Sequence, residues 1–313
     1  MEIQLKSADR VQPGVAAGNR SVLLETAANA RALIAVFKLR IGISIALSAL
    51  GGSVVAGHAG PAFGQAWLLL TAVLLASFGA AGFNHYLERD LDRRMCRTRR
   101  RPFASGRFGA GAAWPLLFAL MIGTGSALAG HAFGLASGLF VLAGALTYVV
   151  VYTAWLKPLS DWNIVIGGAA GSFAVLAGAA VHGGGWLDPA ALWLALVLLL
   201  WTPSHFWALS IALVEDYRAA GLPMLPVTRG VATAARWTMA NSVLLVLAAV
   251  GLGWVLESPL FWLLSLTGSA WLLVTGLDLV RSPTRPVAMT AFFASLIQLG
   301  LLLAGLFVNV WVG

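Results

Sequence analysis

Nine long apolar runs divide this chain, a pattern foreign to soluble domains. They cover about residues 39–57, 66–83, 112–130, 133–154, 163–181, 189–213, 233–256, 259–280 and 287–311. A helix of roughly twenty apolar residues, rising about 1.5 Å per residue, matches the ~30 Å hydrocarbon core of a bilayer. Within that core each backbone N–H and C=O must find a partner inside the protein, and a helix provides one locally. With 59% hydrophobic and 10% charged residues, the chain reads as all-α, a polytopic membrane bundle of nine transmembrane helices.

The basic residues test this division independently. Of the 20 Lys and Arg, six lie before or at the start of the first run, eight follow the second, one the fourth, three the sixth and two the eighth. The alternate connections hold none. Cytoplasmic connections collect Lys and Arg, so the N-terminus is expected in the cytoplasm and the C-terminus outside. The net charge of +8 is thereby assigned to a membrane face, and no nucleic-acid partner is expected. Residues 1–33 are polar and small, lack the order of a secretory signal, and are expected to form a disordered cytoplasmic tail. Residues 34–313 form a single transmembrane domain. The lone Cys96 excludes an intrachain disulfide.

One polar stretch, Asn84 to Pro102, interrupts the apolar pattern where the second run ends. If the helix continues, Asn84, Glu88 and Asp92 fall at i, i+4 and i+8, a ladder drifting about 40° per step with rungs roughly 6 Å apart. Asp90 points elsewhere. Carboxylate and amide oxygens at this spacing suit Mg²⁺, which one or two carboxylates usually hold while phosphates complete its octahedron. Seven arginines follow, Arg97 and Arg101 among them, and guanidinium forks match phosphate oxygens. The plainer alternatives are a basic loop at anionic headgroups and acids paired with arginines in water.

Three further features lie on the same expected face. Tyr152 and Trp155 precede Lys157, whose ammonium suits a phosphate or a headgroup. Pro158 is expected to stop the fourth span, Ser160 or Asp161 to cap the fifth, and Asn163 sits just inside it, where an amide needs a partner. Near the end of the sixth run, His205 follows Pro203, which can kink the helix, and Glu215 and Asp216 emerge beyond it. His205 is either a buried, hydrogen-bonded residue or a metal or substrate contact. Gly167 to Gly171 reads as a helix contact or as a smooth wall beside a flat substrate.

These residues resemble the UbiA superfamily of intramembrane prenyltransferases, and within it the protoheme IX farnesyltransferase branch. The motif N-x-x-x-[D/E]-x-x-x-D, then M-x-R-T-x-x-R-P, is met by Asn84, Glu88, Asp92, Met95, Arg97, Thr98, Arg101 and Pro102. The branch pattern Y-T-x-W-L-K is met from Tyr152 to Lys157, and N-I-V-I-G-G-x-A-G from Asn163 to Gly171. A third block runs from His205 through Asp216 to Pro226. Where quinone-modifying relatives carry a second D-x-x-x-D ladder, this chain offers His205, Glu215 and Asp216.

The resemblance implies Mg²⁺-dependent transfer of a farnesyl group from farnesyl diphosphate to a vinyl group of haem B, giving haem O, in a bacterial inner membrane with the site near the cytoplasmic face. Asn84, Glu88 and Asp92 are then the metal ligands and catalytic residues, and Asp216 binds a second Mg²⁺ or orients the first. Arg97, Arg101, Tyr152, Lys157, Asn163 and His205 contact substrate. The product would pass to a haem-modifying enzyme or to terminal-oxidase assembly factors. A quinone-type acceptor and a secondary transporter are the alternatives. The charge count predicts that a topology reporter at His182 or Glu257 reads as external; a cytoplasmic reading at either position overturns the nine-span order.

Overall fold

The computed structural model describes residues 28–57 and 60–312, with side chains to Val308. Most of the expected N-terminal tail lies outside the described residues. Its described part is helical from 28 to 36, so regular structure begins before the boundary expected at 33.

Among the described residues, nine helices are long and apolar enough to cross a membrane: α1 (Leu39–Gly57), α2 (Phe63–Leu87), α3 (Ala113–Phe133), α4 (Leu135–Leu159), α5 (Asn163–Leu187), α6 (Pro189–Ala212), α7 (Val231–Leu256), α8 (Pro259–Arg281) and α9 (Arg285–Val308). The protein is a multi-pass membrane protein with the expected all-helical architecture.

Local chemistry sets the helix ends. Asp188 accepts a hydrogen bond from Ala190 N–H at 2.8 Å, and Pro189 opens α6 with its φ already helical. Ser258 and Pro259 start α8 in the same way. Gly134, at φ 94°, joins α3 to α4 by itself, a conformation that a side chain would strain.

Three boundary expectations change. Pro158 does not stop α4, which continues to Leu159. No side chain caps α5, because Asp161 bonds Arg229 at 2.6 Å and Ser160 Oγ accepts only from Trp162 N–H. Pro203 leaves α6 continuous, and Asn241 of α7 donates to the Leu200 carbonyl at 2.6 Å and to Ser204 Oγ at 2.8 Å. Pro203 withdraws the helical donor from the Leu199 carbonyl, and the Asn241 contacts tie α6 to α7 at the adjoining residue.

Sequence neighbours pack side by side, α5 lies against both α1 and α6, α6 also meets α9, and α9 touches α1. The closest approach joins α1 and α5. A Cβ on Gly178 would fall 1.7 Å from the Ala49 carbonyl oxygen, and one on Gly52 would fall 2.0 Å from that of Val175. Lipid tails give helices no hydrophobic reason to associate, so such backbone contact carries much of the packing. Gly167 and Gly168 face the Tyr152 ring and Leu199 with Thr202. This is a helix contact and not an open wall.

The basic connections meet at one end of the bundle, through contacts between Lys38 and Asn84, Lys157 and Glu88, Arg97 and Tyr217, and Arg229 and Asp161. His182 and Ser53 bond each other at the opposite end. Gly178→Ala should destabilise the detergent-solubilised protein by roughly 1–3 kcal/mol, as overpacking does. Gly123→Ala, with open space around it, should be neutral in the same thermal unfolding measurement; equal effects would dissolve the α1–α5 contact argument.

Candidate active site

α2 ends at Leu87, Glu88 sits outside helical geometry at φ −86° and ψ 4°, and a short helix, Arg89–Arg94, follows. The expected continuous helix is therefore interrupted. The ladder survives because Glu88 N–H still bonds the Asn84 carbonyl at 3.0 Å, and Asp92 N–H bonds the Glu88 carbonyl at 2.7 Å. Asn84, Glu88 and Asp92 are 2%, 3% and 0% exposed, which rules out acids that pair in open water. Asp90 is exposed and bonds Arg93 at 2.9 Å.

Each rung meets a cation from another part of the chain. Lys157 pairs with Glu88. Arg101 Nη1 bridges both Asp92 oxygens at 3.0 and 2.9 Å. Lys38 Nζ donates to Asn84 Oδ1 at 2.5 Å and to Tyr148 Oη at 3.3 Å, and Asn84 Nδ2 donates to Thr153 Oγ1 at 3.1 Å. Lys38 takes a left-handed φ of 48°, uncommon for a residue with a side chain. Beside the ladder, Arg97 donates to Tyr217 Oη at 3.1 Å, with its Nε 3.9 Å from Asp216. Burial, and then the Arg101 charge, push the Lys38 ammonium down to about 7. Burial by itself would raise Glu88, but the Lys157 and Lys38 charges hold it below the ordinary carboxylate value.

α4 reaches the ladder through an unusual stretch. Thr147–Leu156 is π-helical, and Lys157 N–H bonds the Tyr152 carbonyl five residues back. In an α-helix, residues five apart lie on different faces; the i→i+5 register brings them together. Tyr148 and Thr153 therefore both reach the Asn84 region, while Lys157 Nζ lies 5.6 Å from the Tyr152 ring centroid. The Tyr148 and Tyr152 rings stack with centroids 5.7 Å apart.

An apolar pocket descends from Lys38 and Tyr148 between α1, α2, α4 and α5, lined by Ile41, Ile45, Ala76, Val141 and others. Lys38 and Tyr148 sit at its ladder end. The shape suits an amphiphile with an anionic head and a hydrocarbon tail.

The structure thus gathers Asn84, Glu88, Asp92, Arg101, Lys157 and Tyr152, and links Arg97 to Asp216 beside them. Asn163 stands apart, with Nδ2 bonded to the Ser160 carbonyl at 2.6 Å and Oδ1 unpartnered. His205 also stands apart: its ring lies between Trp201 and Phe292, with centroids at 4.3 and 4.4 Å, and Nδ1 is 2.8 Å from Ser295 Oγ of α9. Sequence reasoning missed Lys38, Tyr148, Thr153 and Tyr217. Lys38 carried a signal, since the charge count puts it at the ladder's end of the bundle. Tyr148 and Thr153 were concealed by the π register, whereas Tyr217 lies in a short helix beyond α6, Val214–Ala219.

Among the described residues, no three or more His, Cys, Asp or Glu side chains cluster as a ready-made metal cage. The donor set nevertheless fits Mg²⁺. Two buried carboxylates and an amide oxygen leave half of an octahedron to water or phosphate, in keeping with the few protein ligands this ion takes.

Comparison with known proteins agrees with this chemistry. Residues 45–297 match the UbiA prenyltransferase family. Protoheme IX farnesyltransferase 2 of Paramagnetospirillum magneticum is 48% identical over 282 residues, covering 90% of this chain and 98% of that protein. Protoheme IX farnesyltransferase 1 of the same organism is 45% identical, covering 89% and 98%. Among solved structures, a digeranylgeranylglyceryl phosphate synthase aligns with a TM-score of 0.72 at 16% identity over 90% of this chain and 98% of that one. A UbiA homologue from Archaeoglobus fulgidus, bound to GPP and Mg²⁺, aligns at 0.61 and 18% identity over 88% and 98%. The family match spans most of the transmembrane domain and includes every rung of the ladder, and this chain belongs to the UbiA prenyltransferase family.

Proposed function

We propose that this chain transfers the farnesyl group of farnesyl diphosphate to a vinyl group of haem B, with water completing the side chain of haem O. The observation that carries this reading is the buried Asn84–Glu88–Asp92 ladder, ringed by cations at the head of an apolar pocket. The names carried by relatives at 45–48% identity support the acceptor. The basic connections gathered at the ladder's end support a site at the cytoplasmic face.

Asn84, Glu88 and Asp92 are the donors for Mg²⁺, which, when bound, supplies positive charge against the leaving diphosphate. Lys38, Lys157, Arg97 and Arg101 contact the phosphate oxygens, and the pocket takes the isoprenoid tail. The C1–O bond breaks and its electron pair leaves with pyrophosphate. The stacked rings of Tyr148 and Tyr152 present π-faces that favour the allylic cation, and the enclosed bundle keeps water from it. The terminal vinyl carbon then bonds to C1. The positive charge left on the adjoining carbon is met by water, which gives up a proton as the hydroxyl forms.

His205 is the acceptor-side contact. Ser295 Oγ donates to the Phe292 carbonyl at 2.6 Å and stands 2.8 Å from His205 Nδ1, an arrangement that suits the tautomer with its proton on Nδ1. That leaves Nε2 as a neutral lone pair with no hydrogen-bond partner among the described residues. The arrangement matches a metal-ligating histidine oriented by a hydrogen bond through its other nitrogen. Haem iron would find such a ligand here.

Purified protein given Mg²⁺, farnesyl diphosphate and haem B should yield haem O by mass; prenylation of a quinone precursor in place of haem would overturn the acceptor. In the same assay Glu88→Ala and Asp92→Ala should abolish turnover, and Asp90→Ala should leave it largely intact. Equal damage from all three would break the ladder assignment. His205→Ala should lower haem affinity and shift the haem absorption spectrum while sparing farnesyl diphosphate binding. Ser295→Ala should weaken haem binding by about tenfold, as loss of such an orienting bond typically does. Unchanged spectra in both folded variants would return His205 to a purely structural role.

A further inference from the structure

The cations and the ligand oxygens of this site are matched one to one. Lys38 bonds the Asn84 amide oxygen, Lys157 pairs with Glu88, Arg101 spans both oxygens of Asp92, and Arg97 lies beside Asp216. The cations come from four separate places: the residue before α1, the end of α4, and two points in the α2–α3 connection. Glu88, Asp92 and Lys157 are all less than a tenth exposed, so water screens their pairs little.

We propose that substrate enters by exchanging these pairs: the metal takes the acid oxygens from the cations while the diphosphate takes the cations from the acids. The exchange rests on reading this site as one for Mg²⁺ and a diphosphate. Charge decides why neither half proceeds well without the other. A divalent ion on Glu88 and Asp92 leaves Lys157 and Arg101 as uncompensated cations beside it, in a setting where an unpaired buried charge is costly. A diphosphate on the cations leaves two bare carboxylates beside a polyanion. When both arrive, every charge has a partner again. The protein's own pairs therefore act as place-holders that keep the acids and cations aligned and weaken each ligand taken separately.

This gives a sign opposite to simple ligand loss. If Lys157 stood clear of Glu88 and met only phosphate, replacing it would change the affinity for metal alone little. Under exchange, Lys157→Gln removes the competitor from Glu88 and tightens Mg²⁺ binding measured without phosphate. In the reverse sense, Glu88→Gln releases Lys157 and tightens inorganic pyrophosphate binding measured without metal. Coupling between sites in one protein commonly amounts to about 5–150-fold, and a gain of about tenfold is expected in each case.

The test is calorimetry on purified full-length protein in detergent, titrating Mg²⁺ alone and pyrophosphate alone into the wild type and both variants, and pyrophosphate with Mg²⁺ present into the wild type, with thermal unfolding as the check on folding. Each variant carries the argument separately, so failure of one to fold leaves the other to decide. Tighter binding of Mg²⁺ to Lys157→Gln, or of pyrophosphate to Glu88→Gln, supports the exchange. Unchanged or weaker binding in a folded variant overturns it while leaving the Mg²⁺–diphosphate site standing. Failure of wild type to bind the two ligands together overturns both the exchange and the site.

Discussion

Two carboxylates buried at the edge of an apolar bundle can stay charged only if cations lie within hydrogen-bond range, since removing one partner of a buried pair costs about 3–5 kcal/mol. Asp92 and Glu88 are in that position, and the polar end of the molecule is built to meet the requirement. The α2–α3 connection turns back so that Arg101 reaches Asp92, helped by Thr98 Oγ1, which donates to the Asp92 carbonyl at 3.0 Å. α4 changes its helical register so that Lys157 reaches Glu88. The chain enters α1 through a left-handed Lys38 whose ammonium reaches Asn84. Three local departures from regular backbone thus converge on one ladder.

Much of the fold could be read in the sequence because a bilayer leaves few choices. Apolar length gave nine spans, and the Lys and Arg count divided their connections into a basic set and a set without cations, with no motif needed. The ladder was legible for a similar reason: a spacing of four keeps Asn84, Glu88 and Asp92 on one side even though the helix breaks at Glu88, because the hydrogen bonds across the break persist. The partners of the ladder were harder to see. Tyr148, Thr153 and Lys157 converge only under an i→i+5 register, and the apolar run from Leu135 carries no mark of where α gives way to π. Lys38 read as one more cation at a membrane edge. Its backbone angle, set by the turn into α1, is what directs it inward.

The proline in α6 shows how the membrane shapes a departure from regularity. In water a broken helix can solvate its freed carbonyls, but inside a bundle another side chain must serve them. Pro203 frees the Leu199 carbonyl, and beside it Asn241 bonds the Leu200 carbonyl and Ser204 Oγ, which also accepts from Ser242 Oγ at 3.0 Å. α6 and α7 are therefore joined by polar contacts at the depth where the kink was expected, and the helix stays whole. An alternating-access transporter places discontinuous helices and ion ligands near the midplane. Here the span that carries a proline is continuous, and the acidic ladder lies at one end of the bundle.

The two groups of residues assigned to the two substrates belong to different sets of helices. The ladder, its cations and the tail pocket are built from α1, α2, α4, α5 and the α2–α3 connection, whereas His205 on α6 is anchored to α9 through Ser295 and Phe292. At the polar end the sets are tied by contacts between connections: Arg97 with Tyr217 and Asp216, and Asp161 with Arg229 and Thr228. On the proposed reading, these ties fix how far the allylic carbon stands from the acceptor, so their geometry bears on rate through positioning. The choice of acceptor is then a property of α6 and α9, where Trp201, His205 and Phe292 form a flat aromatic stack. On the same reading, substitutions in that stack alter the acceptor side and leave the diphosphate side in place, because, among the described residues, Trp201, His205 and Phe292 make no contact with the ladder or its cations.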